Sequence, residues 1–276
     1  MDVSDIFKEV FNYIMEEHNR KSIIIIAVLC FVSTFLSNID NGNGSLISLL
    51  LVLIITILIY GIGISIIEST LKNSNEIPKL DLKNNFLDGL RNYILTMVYA
   101  LVPIIITIII AIPLGLYSNF YKLALVAEKY PVGTSADVIM QALPRDVVMS
   151  LGIAFVVCML IAVVLLIISM YFNYIAQARL AETGSIMEGL NIKELYNKIK
   201  SIGVGKYTIF FIILGILSNI ITFIGVFIDA YIPTPIMALI GVFIYAYIPI
   251  PIMALIYNTV TFLLMYRGIG LIYMEG

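Results

Sequence analysis

The chain has 276 residues, of which 61% are apolar and 12% charged, with a formal net charge of −2. A soluble domain is nearer half apolar and a quarter charged, so the composition excludes an ordinary water-soluble globule; the net charge by itself is uninformative, and no basic patch for nucleic acid stands out in the sequence. The apolar excess is gathered into nearly charge-free blocks, each long enough to supply the roughly 20 helical residues that cross a bilayer's hydrocarbon core.

Residues 1–21 open the chain. Phe7, Val10, Phe11, Ile14 and Met15 recur at helical spacing between charges, which predicts an amphipathic helix lying on the membrane. Asp2, Asp5, Glu9, Glu16 and Glu17 make this segment too acidic for a secretory leader, and no small-residue cleavage site follows. The first span is expected over 22–38. A polar loop, Asn38–Ser45, then leads to a second span over 46–67, where Gly61, Ser65 and Ser69 form a small-residue stripe suited to close helix packing. In the polar stretch Glu68–Arg91, Asn73, Ser74 and Asn75 make a turn and Pro78 blocks helix. A second amphipathic helix over 84–92 enters the third span, 93–113. There Pro103 predicts a kink whose freed carbonyl a neighbour must satisfy.

The longest segment without a span is 114–146, in which Ser135 caps a short helix ending near Pro144. The fourth span is expected over 147–174. In the basic segment Arg179–Lys206, the positions Ile192, Leu195, Tyr196, Ile199 and Ile202 mark a third amphipathic helix. The fifth span covers 207–228 and the last ends near Met265. The order of interfacial helix, span and span recurs three times. The expected fold is therefore an all-α integral membrane helical bundle of six transmembrane helices in three hairpins, forming a single multi-pass domain over 1–276. Thirteen of the 16 Lys and Arg residues fall on the side of the termini and only Lys122, Lys129 and Arg145 on the other. By the positive-inside rule both termini are cytoplasmic in a cell membrane.

Residues 226–241 (VFIDAYIPTPIMALIG) and 242–257 (VFIYAYIPIPIMALIY) are a tandem duplication identical at 13 of 16 positions. Sixteen helical residues reach roughly 24 Å, short of a full crossing, and each copy carries a Pro-x-Pro pair that interrupts helix. A re-entrant insertion is expected. The alternative is a seventh span, which would put the C-terminus outside.

Chemistry is sparse. The single histidine, His18, reads as a surface residue, and Cys30 and Cys158 sit inside apolar runs as packing residues. No zinc motif occurs, and Gly203–Lys206 lacks the spacing of a phosphate loop. No catalytic, cofactor-binding or metal site and no cofactor is predicted, and the expectation is that the chain is not an enzyme. What remains are ionisable groups where they are costly, at the ends of the even-numbered spans. Glu68, Arg179, Glu182 and Arg267, deepened by Asn173, form a candidate cytoplasmic-side polar collar. It reads either as a polar mouth or as plain anchoring of helix ends at the interface. Because the spans lack the buried charges of ion-coupled transport, the expected function is a non-enzymatic membrane structural or interaction module. The alternative is a permease-like protein moving a small solute or lipid. Expected partners are the lipid bilayer and other membrane proteins or a second copy, not nucleic acid.

The stretch GIGISIIESTLKNSNEIPKLDLKNNFLDGLRNYILTMVYALVPIIITIII resembles the signature of the domain of unknown function family 4013, multi-pass membrane proteins found mostly in methanogenic archaea. Gly61, the Glu76-Ile77-Pro78 turn, Asp81, Phe86, Asp88-Gly89 and Pro103 carry the resemblance. Gly203-x-Gly205-Lys206-Tyr207 and Arg267–Tyr273 extend it. The family's tryptophans after the Asp81 position and between the two glycines are missing here, as is a basic residue near Ser65, and the duplicated block is an addition. The resemblance implies an archaeal cell-membrane protein and no particular activity.

Overall fold

The computed structural model describes residues 1–39, 46–231 and 252–276, and among them it contains helices and no strand. In chain order these are α1 (Val3–Met15), a 3-10 turn (Glu17–Asn19) running into α2 (Arg20–Ile39), α3 (Leu46–Leu71), α4 (Leu82–Ala111), α5 (Leu116–Ala127), α6 (Ala136–Gln141), α7 (Arg145–Thr183), α8 (Ile186–Gly189), α9 (Ile192–Ile202), α10 (Val204–Tyr231) and α11 (Ile252–Met274). Six of them, α2 with its 3-10 turn, α3, α4, α7, α10 and α11, are long and apolar enough to cross a membrane. The chain divides into two compact units, Met1–Leu95 with Phe172–Gly276, and Thr96–Tyr171.

In the first unit α11 is the central helix, packed against α1, α2, α3, α9 and α10. It is the least apolar of the six long helices and the most buried. A helix facing hydrocarbon must be apolar around its circumference, whereas one enclosed by protein can carry Thr259, Tyr266, Arg267 and small residues such as Gly268 and Gly270. The last span was expected to end near Met265, but α11 runs on to Met274. Arg267 does not stop the helix, because its charge is satisfied inside the protein.

α1 buries Ile6, Phe7, Val10 and Tyr13, and the Phe7 ring stacks on Phe210 of α10 with centroids 5.6 Å apart. Each of these buried side chains contributes roughly 1.5–3 kcal/mol relative to exposure to water. The expected amphipathic helix is present, but this face is covered by protein, while Phe11 and Met15 remain exposed.

α3 and α4 meet backbone to backbone. A Cβ on Gly61 would lie 1.7 Å from the Asn85 carbonyl oxygen, and one on Gly89 would lie 1.8 Å from that of Ile57. Glycine on each helix, one turn from its contact on the other, permits this approach. Buried Asn85 donates to Ser65 Oγ at 2.8 Å and accepts from the Asp81 N–H at 2.7 Å. Of the expected stripe of Gly61, Ser65 and Ser69, the first two thus lie in the close crossing, while Ser69 donates to the Glu76 carbonyl in the turn beyond it. The lead-in over 84–92 is not a separate helix. α4 is continuous from Leu82, and Asp81 caps it by accepting from the N–H groups of Lys83 and Asn84 at 3.1 and 3.2 Å.

The second unit comprises residues 96–111 of α4, helices α5 and α6, and residues 145–171 of α7. Pro103 lies inside α4 and removes the N–H that would bond the Tyr99 carbonyl. Ser169 of α7 donates its hydroxyl to that oxygen instead, which is the compensation the sequence demands. Asn119 of α5 donates to Ser150 of α7 at 2.9 Å. α6 follows Ser135 as expected, although the serine side chain makes no capping bond. The sequence pattern gave no sign of α5. Most of the 226–257 duplication lies outside the described residues, and so do both readings of it.

Candidate functional site

Polar side chains of the first unit gather at one end of α3 and α11. Arg267 is 2% exposed. Its Nη1 donates to Thr70 Oγ1 at 3.1 Å and to the Ser74 carbonyl at 2.7 Å. Its Nη2 donates to Asn75 Oδ1 at 2.9 Å and pairs with the Glu9 carboxylate of α1. The guanidinium also lies over the Tyr13 ring, 4.3 Å from its centroid, a favourable face for a cation. One buried arginine therefore joins α1, the end of α3 and the turn after it to the central helix. Burial pushes the Tyr13 hydroxyl above the ordinary tyrosine range, with the neighbouring Arg267 charge opposing.

The turn is held from its other side by Asn19, itself 1% exposed. Asn19 donates to the carbonyls of Tyr13 (2.9 Å) and Asn75 (3.1 Å) and accepts from the Ile77 N–H (2.8 Å). His18 Nε2 lies 3.0 Å from the same Asn75 carbonyl, and Ser69 donates to the Glu76 carbonyl at 2.9 Å. A segment that reads as a polar linker is thus hydrogen-bonded on both faces.

Beside this turn is a cavity of about 1000 Å³ between the first turns of α2, the end of α3, residues 74–81 and the start of α4. Glu68 lies on its wall, paired with Lys72 at 2.5 Å. A narrower apolar crevice bounded by Ile25, Ile26, Ile62 and Pro78 adjoins it.

A second polar group lies where α7, α9 and the end of α11 converge. Arg179 donates to Glu182 at 2.9 Å and to Glu188 at 3.2 Å. The Tyr273 hydroxyl donates to Glu182 at 2.5 Å, and the Lys198 ammonium lies 4.2 Å from the centre of the Tyr273 ring. Burial holds the Lys198 amine below the usual lysine range, with Glu182 opposing. A cavity of about 210 Å³ opens beside these residues.

Of the five collar residues, the structure brings Arg179 and Glu182 together and sets Glu68 on the wall of the larger cavity. Arg267 is drawn into the hub with Glu9, and Asn173 is buried on α7 with its Oδ1 unpartnered among the described residues. Lys206, at the start of α10, is paired with Glu275 at 2.6 Å. Sequence reasoning missed Glu9, Asn19, Asn75 and Asn85. For Glu9 the available signal was an acidic residue next to Val10 on the apolar side of α1. The three asparagines look like ordinary turn and helix-start residues. Among the described residues no three His, Cys, Asp or Glu side chains gather closely enough to hold a metal ion.

No curated protein and no solved structure matches the chain. A family model does, over residues 45–229, under the description Protein of unknown function (DUF4013). The matched stretch holds the Gly61–Asn85 crossing, the turn at Glu76–Pro78, Pro103 and Gly203–Tyr207, while α1 and Arg267–Tyr273 lie beyond it. Because the match covers more than half of the sequence, the chain belongs to the DUF4013 family of proteins of unknown function.

Proposed function

We propose that the protein is a multi-pass integral membrane protein acting as a non-enzymatic structural or interaction module, with both termini in the cytoplasm. The observation that carries this reading is the Arg267 hub. The one charge deep in the central helix bonds Glu9, Thr70, Ser74 and Asn75. It is spent on holding α1 and the turn after α3 to the bundle rather than on lining a path. Charges that serve transport face a water-filled cavity or a relay of ionisable groups. The six long apolar helices and the charge asymmetry of the loops support the membrane placement.

The second reading, a permease-like protein moving a small solute or lipid, draws on the cavity of about 1000 Å³ at Glu68. Reconstituted vesicles separate the two. The module reading expects solute leakage and lipid exchange equal to those of protein-free vesicles, with cross-linking in native membranes capturing a second copy or one membrane protein at a fixed ratio. Saturable flux would overturn it. A C-terminal reporter accessible from outside the cell would overturn the topology.

A further inference from the structure

The cavity between α2, α3 and the start of α4 has a composition that the hub does not account for. Three of its four carboxylates are already committed. Glu68 is paired with Lys72 at 2.5 Å and Asp88 with Arg91 at 2.8 Å. Asp81 is taken up by the first N–H groups of α4 and by Asn84 Nδ2 at 2.8 Å. Among the described residues, three charged side chains on the wall have no partner: Lys21, Lys79 and Glu76. Two ammoniums and one carboxylate thus face a space of about 1000 Å³, large enough for a polar group of a dozen or more heavy atoms. An adjoining apolar crevice carries Ile25 and Ile26 of α2, and Ile24, Ile25 and Val28 expose large apolar side chains along that helix. The cavity lies at the ends of three candidate spans, where headgroups meet acyl chains.

We propose that this cavity is a phospholipid headgroup site. Lys21 and Lys79 take the phosphate, Glu76 takes a cationic amine on the same headgroup, and an acyl chain lies along the exposed flank of α2. A phosphate offers acceptor oxygens to lysine ammoniums, which bind it as point charges. The exposed apolar flank of α2 gives the acyl chain a surface to lie against, so the lipid binds more tightly than its headgroup alone. The site rests on the reading of the chain as membrane-spanning.

The test uses the full chain purified in detergent and titrated with dihexanoyl phosphatidylethanolamine, with occupancy counted by native mass spectrometry. One molecule binds saturably. Lys21→Gln with Lys79→Gln weakens binding about tenfold, and Glu76→Gln weakens the ethanolamine lipid while leaving dihexanoyl phosphatidylglycerol unchanged. All three side chains are exposed, so the variants fold, and an unchanged melting profile confirms it. Equal binding by wild type and the double lysine variant overturns the site. Equal binding of dihexanoylglycerol, which has no phosphate, overturns headgroup recognition. Displacement by an equal concentration of inorganic phosphate makes it a free-anion site instead. Extraction of the chain from membranes by alkaline carbonate would sink the membrane-spanning reading separately, whatever the titration shows.

Discussion

Replacing Arg267 with methionine keeps most of the side-chain volume and removes the charge. Thr70, the Ser74 carbonyl and Asn75 each lose a donor, and Glu9 loses its counter-ion. Removing one partner of a buried ion pair costs about 3–5 kcal/mol, because the other charge is stranded. The Glu9 side chain is 30% exposed against 3% for Arg267, so water relieves part of that penalty and the expectation falls to about 3 kcal/mol. Glu9→Gln alone costs about 1 kcal/mol, since the amide still accepts from the guanidinium. Combining Arg267→Met with Glu9→Met recovers about 1–2 kcal/mol relative to Arg267→Met, because no stranded carboxylate remains. The chain carries its own reporter: Cys30 is free and buried in the first unit, and Cys158→Ser removes the other thiol. Labelling of Cys30 by a fluorogenic maleimide during heating gives the unfolding midpoint. A midpoint unchanged by Arg267→Met, or strictly additive effects in the double variant, would refute the hub.

The remaining predictions use the same thiol readout. Ser169→Ala leaves the Tyr99 carbonyl without its compensating donor and lowers stability by about 1–2 kcal/mol. Pro103→Ala restores the helical N–H, so Ser169→Ala is nearly silent in that background when followed through Cys158 with Cys30→Ser. A full penalty there would disprove the assigned compensation. Gly89→Ala drives a methyl to 1.8 Å from the Ile57 carbonyl oxygen and forces the helices apart at a cost of about 2 kcal/mol or more; a neutral effect on the Cys30 midpoint contradicts the close crossing. The Glu275 carboxyl is held below the usual glutamate range, first by its bond to Lys206 and then by the terminal amine. Its contribution is therefore fully present above the ordinary glutamate pKa and is lost as pH falls through the depressed value. Glu275→Gln should flatten that acid limb of the midpoint-against-pH curve, and an identical limb in the variant would exclude the pairing as its source.

Much of this architecture is legible from local pattern. Apolar blocks of bilayer length identify all six long helices, because hydrocarbon tolerates only segments that satisfy their own backbone. The alternation in Ile192–Ile202 locates α9 at its observed bounds, and Pro103 announces a carbonyl that needs a partner. α5 escapes notice because Leu116–Ala127 is apolar without a clean stripe and too short to span.

What the sequence by itself determined is the class of protein: all-α, with six segments that suit a bilayer, small residues ready for a close crossing and few charges. What only the tertiary structure decided is where those few charges work. Arg267 reads as the end of a span because the apolar run stops there, yet it is buried, and α11 continues past it because Glu9, Thr70, Ser74 and Asn75 arrive from distant parts of the chain. Composition reports a residue's own cost of burial. The groups that offset it are set by which helices meet, and that is a property of the packed chain.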